Sequence, residues 1–492
     1  MTSIPNYVAA ARPVPSGNRA AWFKNAAPTY AGVMLWFVVW QDVVAGDGSP
    51  GGILVGGVGT ALLALAVAAL GCHVLFYLVP GLMGMKSGLP LYVVGTSTFG
   101  VRGGLLVPGL LMGVLQFGWM AVNASAVAVL LCHCLRLDAA MPSWTHGSIA
   151  AAYVVLAGFM GYKGIDYVAK VASYLPLIPF VVLLLLLFRT IGGLGQFTPE
   201  QTAPPATAKV AIDASVKEHV DREAPVANAR SSVVWLPSVV MAMAATYVFG
   251  FFSQAGAVAV DFGMHNRNTS DIHWGGLVGG SLAILYGCGL ATLIVAGAYG
   301  AGLVSPANQG SLNPVVLMRD ILGEGAANVI MVFLAISSFP AACCAAFVAS
   351  NCCRTTMPNI RPSLSIGAGV IAAIVLAVSG LAGQIVPIFT VVGAVFGPLV
   401  GAMVADYLLA GRKWPGPREG FNPAGWLAVG LGFVVGVADF GFIPGLKGNV
   451  PCPPLAAYLV GFATYGLLAK LGLQSRTIRL PATNNDLEKE GN

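Results

Sequence analysis

The feature that most constrains this chain is the recurrence of long apolar runs with almost no charge in them. Residues 51–79 contain no Asp, Glu, Lys or Arg, and neither do residues 104–134. A helix needs about 20 apolar residues to cross roughly 30 Å of hydrocarbon. Runs that meet this and end in charge, Pro or Gly lie near 28–46, 51–79, 104–134, 147–162, 167–190, 236–260, 276–301, 326–350, 363–381, 384–408, 424–443 and 453–472. Only 9% of the chain is charged, against about 25% in a soluble domain, so its solvent is mostly lipid. The 63 Gly and 31 Pro follow no repeat, and many of the Gly lie inside these hydrophobic segments, which excludes collagen. The nine Cys are an odd count placed largely in apolar runs, and read as buried thiols.

With both ends of the chain inside the cell, most of the 25 Lys and Arg fall on the inner side, as the positive-inside rule requires. Four of the outer ones, Lys209, Lys217, Arg222 and Arg230, share one longer loop. The count and the orientation support each other, because miscounting one span would scramble the sorting. The net charge of +6 has no basic stripe with interleaved aromatics behind it, so no nucleic-acid partner is expected. The opening residues lack a short apolar core with a cleavage site, and the first span acts as its own insertion signal in the inner membrane.

The expected organisation is an all-α membrane protein of about 12 transmembrane helices. A tail (1–27) precedes five helices (28–190), an outer loop (191–235), five more helices (236–408), two extra helices (409–472) and a second tail (473–492). The piece from Met85 to Arg102 is too polar to cross and reads as re-entrant or interfacial. The second half of Leu303 to Gly325 reads as a short helix over the outer face.

No GxSxG, HExxH or Walker loop is present, so no enzyme, cofactor or metal site is expected. Cys132, His133 and Cys134 are too close in sequence to share a helix face. Chemistry is looked for instead where lipid penalises polarity and helix breaks. Transporters built from inverted repeats bind their cargo near the midplane, on interrupted helices at corresponding places in the two halves. Span one places Trp40, Gln41 and Asp42 together, and span six places Gly250, Phe251, Phe252, Ser253, Gln254 and Gly256 together. In span three Gln116, Trp119 and Asn123 follow i, i+3 and i+4 spacing, hence one face. Two readings fit that face equally: an aromatic plate flanked by amides for a planar heterocycle, or a Trp that packs helices with amides bridging them. Asp42 either caps the outer half of span one or carries a proton, because a carboxylate at the bilayer centre costs about 2.5–3.5 kcal/mol.

Three stretches carry a resemblance. PLYVVGTSTFGVRGG at 90–104, FGWMAVN at 117–123 and GFFSQAGAVAVDFGMHNRN at 250–268 resemble motifs of nucleobase:cation symport family 1, which includes cytosine permease and the hydantoin and allantoin transporters. The resemblance implies a leucine-transporter-type fold of two inverted five-helix repeats plus two C-terminal helices. It puts Trp119 on the family's stacking aromatic and Asn123 on the amide one turn later. It also implies that Phe252 closes the other side, that Gly250 and Phe251 offer backbone at a helix break, and that Gln254 faces the cargo. In span eight, ISSFPAACCAAFVASN departs from the family's hydroxyl-rich run. Ser337 and Ser338 are left as its ion-site hydroxyls, so Na+ and H+ both stay open as coupling ion.

The expected function is cation-coupled uptake of a nucleobase or related planar heterocycle by alternating access. The ring would stack between Trp119 and Phe252, with Gln41, Gln254, Asn123, Gln116, Trp40 and Ser253 around it and Asp42, Ser337 and Ser338 serving the ion. The rivals are a same-fold symporter of an amino acid or other small amine, a membrane-embedded sensor or enzyme, and a passive channel.

Overall fold

Apolar runs in lipid must satisfy every backbone N–H and C=O internally, and helices are what these runs form. The structure, a computed structural model, describes residues 4–24, 40, 52–163, 175, 177–202, 232–304, 312–357, 359–441 and 449–478. Trp40 apart, the first run lies outside the described residues, and so do Gln41 and Asp42. The other eleven runs are helical over most of their described residues.

In chain order the elements are α1 (Gly52–Ser87), α2 (Thr96–Leu105), α3 (Met112–Cys134), α4 (Trp144–Lys163), α5 (Leu177–Thr190) and α6 (Ser232–Gly263). They continue with α7 (Thr269–Gly300), α8 (Pro314–Leu322), α9 (Glu324–Ser337), α10 (Phe339–Thr356), α11 (Pro362–Val378), α12 (Ile385–Leu409), α13 (Pro423–Gly436) and α14 (Pro453–Lys470). Seven stretches among the described residues are long and apolar enough on their own to cross a membrane. Proline opens α8, α11, α13 and α14, where its missing N–H costs nothing and its fixed φ suits the first turn. The short helix expected near 314–322 is present as α8. The Asn313 side chain caps it by accepting from the backbone N–H of Val315 and Val316.

Burial divides these helices into two groups. Phe117, Met120, Ala121 and Ala124 of α3 pack with Ala150, Val154 and Ala157 of α4, with Ala342, Cys343 and Ala346 of α10, and with Ala373 and Ala377 of α11. Alanine dominates this group, as expected where helices approach closely without a hydrophobic drive between them. A larger apolar cluster joins α1, α6, α7, α12 and the other flank of α3, through residues such as Leu65, Phe76, Val248, Phe249, Ile294, Phe396 and Val127. Helix α3 therefore belongs to both groups, and its faces meet at a seam.

Span six, expected to be interrupted, is continuous. Helix α6 runs through Gly250 to Gly256 without a break. The glycines serve approach instead. A Cβ on Gly250 would stand 2.9 Å from the Phe389 carbonyl oxygen, and one on Gly256 would stand 2.8 Å from the Phe76 carbonyl oxygen. Glycine at both positions lets α6 lie against α12 on one side and α1 on the other. Span eight passes from α9 to α10 through a single residue, Ser338, whose φ of −79° and ψ of −17° stay in the helical region, with Pro340 in the first turn of α10.

The polar stretch before α3 does not cross the fold. Gly100 has φ 81° and ψ 163°, a region essentially confined to glycine. That bend brings α2 against the loop before α13. The N–H groups of Val101, Arg102 and Asn422 donate to the carbonyls of Arg418, Gly420 and Phe99 at 2.8, 2.9 and 3.0 Å. A Cβ on Gly100 would stand 2.3 Å from the Gly420 carbonyl oxygen. Gly100→Ala is expected to destabilise the protein by about 1–3 kcal/mol from backbone conformation alone, with the collision adding to it. A clear drop in the thermal midpoint of the detergent-solubilised variant is the check; an unchanged midpoint would contradict this account.

Candidate functional site

The seam along α3 gathers the polar side chains that the apolar groups leave out. Trp119 is half-buried on the α3 face turned to the larger cluster. Its indole Nε1–H donates to Gln254 Oε1 of α6 at 2.7 Å. Two aromatic rings flank it: Phe251 at 5.1 Å between centroids and 68° between planes, and Phe389 of α12 at 5.8 Å and 56°. Phe251 and Phe389 are themselves 5.4 Å apart. Three rings from three helices thus form an edge-to-face cluster, the arrangement that ring quadrupoles favour.

The expected two-ring sandwich changes partner. The ring next to Trp119 is Phe251. Phe252, one residue on and so about 100° around the helix, is buried on another flank. It touches Phe251 at 5.0 Å and lines a separate cavity with His73 and Phe76. Ser253 turns away as well: it is fully buried, and its hydroxyl donates to the carbonyls of Gly250 and Val392 at 3.0 and 3.3 Å. Trp40 is also fully buried, with its indole N–H on the Ala291 carbonyl of α7 at 3.0 Å, so its polar edge is engaged in packing.

Asn123 and Gln116 lie on α3 within one turn of Trp119, both half-buried. The Asn123 side-chain N–H donates to the Trp119 carbonyl at 2.8 Å, which leaves its own amide oxygen as an acceptor. One helix over, the junction of α9 and α10 presents hydroxyls. Ser337 donates to the Leu334 carbonyl and Ser338 to the Ala335 carbonyl, each at 2.9 Å, and Ser338 also meets the Tyr153 hydroxyl of α4 at 2.9 Å. Each hydroxyl donates one bond and keeps lone pairs, so the two side chains can offer oxygen to a cation. Phe389 and Tyr153 are members that sequence reading missed. Phe389 follows Pro387 at the start of a uniformly apolar helix, and Tyr153 sits mid-span with no motif around it.

Packed apolar helices, a seam lined with rings and amides, and hydroxyls at the junction of α9 and α10 are what a membrane transporter of the leucine-transporter fold presents. The sequence profile described as "Permease for cytosine/purines, uracil, thiamine, allantoin" matches residues 13–414, and the chain belongs to that permease family. It is a transporter and not an enzyme. Among solved structures it is similar to Mhp1, a nucleobase-cation-symport-1 family transporter. In a closed conformation with bromovinylhydantoin bound, Mhp1 is 16% identical with a TM-score of 0.59, over 99% of this chain and 100% of that one. In its inward facing conformation, Mhp1 is 17% identical with a TM-score of 0.61, over 97% of each chain. A Na+-coupled sialic acid symporter shares the fold at 12% identity and a TM-score of 0.52, over 94% and 92%. No curated protein sequence matches the chain.

Proposed function

We propose that this permease carries a nucleobase or related planar heterocycle across the inner membrane by cation-coupled alternating access, with both termini in the cytoplasm. The observation that carries the reading is the junction of Trp119 with Gln254, Phe251 and Phe389 on the seam between the two helical groups. A flat ring laid on the indole gains stacking worth about 1–3 kcal/mol. The amides of Gln254, Asn123 and Gln116 can donate and accept along a base edge. Because Trp119 rides on α3, which also packs with α4, α10 and α11, and Gln254 rides on α6 of the larger group, a cargo bound to both would bridge helices of the two groups, which is what alternating access needs.

Mhp1 binding a hydantoin supports a heterocycle over an amino acid, and the sialic acid symporter supports sodium as one candidate ion. Ser337 and Ser338 would hold that ion together with backbone from span one. Asp42 is the alternative, protonatable group.

Labelled cytosine, uracil and hydantoin, competed in proteoliposomes against amino acids and small amines under imposed Na+ and H+ gradients, test this reading. Saturable, gradient-dependent uptake inhibited by heterocycles alone is expected. Inhibition by an amino acid and by no heterocycle would replace the proposed cargo, and uptake indifferent to every gradient would replace symport with passive passage.

A further inference from the structure

The second cavity lies among α1, α6 and α7, on the side of α6 away from Trp119, and encloses about 50 Å³. A water needs only about 10–15 Å³ by this measure, so there is room for a few waters and none for a heterocyclic ring. Its walls are mostly apolar: Phe76 of α1, Phe252 and Phe262 of α6, and a glycine face of α7. The exception is His73. Its side chain is 94% buried, from a relative exposure of 6%, and its Nδ1 has no hydrogen-bond partner. That nitrogen faces α7 so closely that a Cβ on Gly276 would stand 2.3 Å from it. An ionisable side chain inside a membrane span is costly and by default marks function.

The surroundings suit a proton. His73 opens a π-helical turn, His73–Leu78, and α7 carries another at Leu277–Leu282 across from it. Such turns inside α-helices often accompany functional sites. The imidazole stacks on Tyr77 of its own helix at 6.3 Å and 25°, and lies 5.8 Å from the exposed ring of His273 on α7. Cys72 precedes it in the cavity wall, α6 contributes no charged group to the wall among the described residues, and Asn266 follows α6. Where the chain leads into α7, Asp271 and Arg267 are paired at 3.0 Å. Asp271 also accepts the backbone N–H of Trp22 at 3.1 Å, which sets that indole over the cavity mouth as part of an N-terminal strap. The strap is further tied by Ala20 N–H on the His265 carbonyl at 2.8 Å and by Arg19 on the Met85 carbonyl at 2.8 Å.

We propose that His73 is a proton-binding site. A proton arriving by way of His273 adds to the free lone pair of the neutral imidazole and places a positive charge between the two π-helical turns. The cavity has room for water to take up part of that charge, and α1 and α7 repack around it beneath the strap. Protonation thereby couples to the position of this helix group, supplying H+ linkage without a carboxylate. The transport consequence rests on the symport reading above, whereas the proton site does not.

Trp22 provides a readout free of cargo, because an imidazolium next to an indole quenches its emission. Subtracting the emission of full-length Trp22→Phe from that of the wild type isolates Trp22. We expect this signal to fall as the pH is lowered from neutral, as protonation of an imidazole requires. His73→Gln, with its own Trp22→Phe subtraction, should abolish the step, and His273→Gln should keep it. Absence of the step in the wild type, its persistence in His73→Gln, or its loss in His273→Gln would each overturn the assignment. If His73→Gln does not fold, the wild type and His273→Gln still decide. In proteoliposomes His73→Gln should also lose the wild-type pH dependence of uptake. A Trp22 step without heterocycle uptake would leave the proton site standing and remove the proposed cargo.

Discussion

Trp119→Ala is expected to lower saturable heterocycle uptake by at least about tenfold, and as much as a hundredfold, while the protein still reaches the membrane. Stacking on an aromatic face contributes about 1–3 kcal/mol, and each 1.4 kcal/mol is a factor of ten in affinity. The substitution also strips Gln254 of its donor at 2.7 Å and removes the common partner of Phe251 and Phe389. Trp119→Phe separates these contributions, since it keeps a ring face and loses the N–H, and should fall between the wild type and the alanine variant. The geometry adds an ordering that the sequence did not suggest: Phe251→Ala should impair uptake more than Phe252→Ala, because only Phe251 pairs with the indole. Binding of radiolabelled substrate to purified protein, alongside uptake, checks both statements. Unchanged affinity in Trp119→Ala would remove the site.

The reasons some of this was legible in the sequence, and some was not, are physical. Spans are set by length and hydropathy, which are local properties. The runs at 51–79, 104–134 and 384–408 could therefore be marked to within a few residues at most of their ends. The i, i+3, i+4 spacing of Gln116, Trp119 and Asn123 fixed a shared face for the same reason. What failed depended on partners. A glycine-rich stretch such as GFFSQAG serves equally for a broken helix or for helices in close approach, and only the Phe389 carbonyl against Gly250 decides between them. Phe251 and Phe252 were told apart only by which neighbour each flank of α6 meets. Asp406 stands near the end of its run with no partner beside it in sequence, because the residue that neutralises it is twelve positions away, beyond a loop.

That residue is Arg418, and the pair sustains the last expected result. Asp406 and Arg418 are 1% and 6% exposed at their side chains and meet at 2.9 Å. Tyr465 of α14 donates to the same Asp406 oxygen at 2.7 Å and accepts from Arg418 at 2.8 Å, and Thr98 of α2 donates to the other oxygen at 3.2 Å. Arg418 also donates to the Ser97 carbonyl. One buried network therefore ties α2, α12 and α14, together with the loop before α13, where the Gly100 bend lands. Removing one partner of a buried ion pair costs about 3–5 kcal/mol, because the other charge is left without compensation. Asp406→Leu and Arg418→Met should each lower the melting midpoint more than any single change in the aromatic cluster. The double variant leaves no unpaired charge and should lose clearly less than the sum of the two. Both singles should also reduce the amount of protein in the membrane while leaving the substrate affinity of the folded fraction close to wild type, since the network contacts neither Trp119 nor Gln254. Thermal melts and binding on the same detergent-solubilised samples separate these effects. Strict additivity of the two substitutions would show that the ion pair does not hold this end of the fold together.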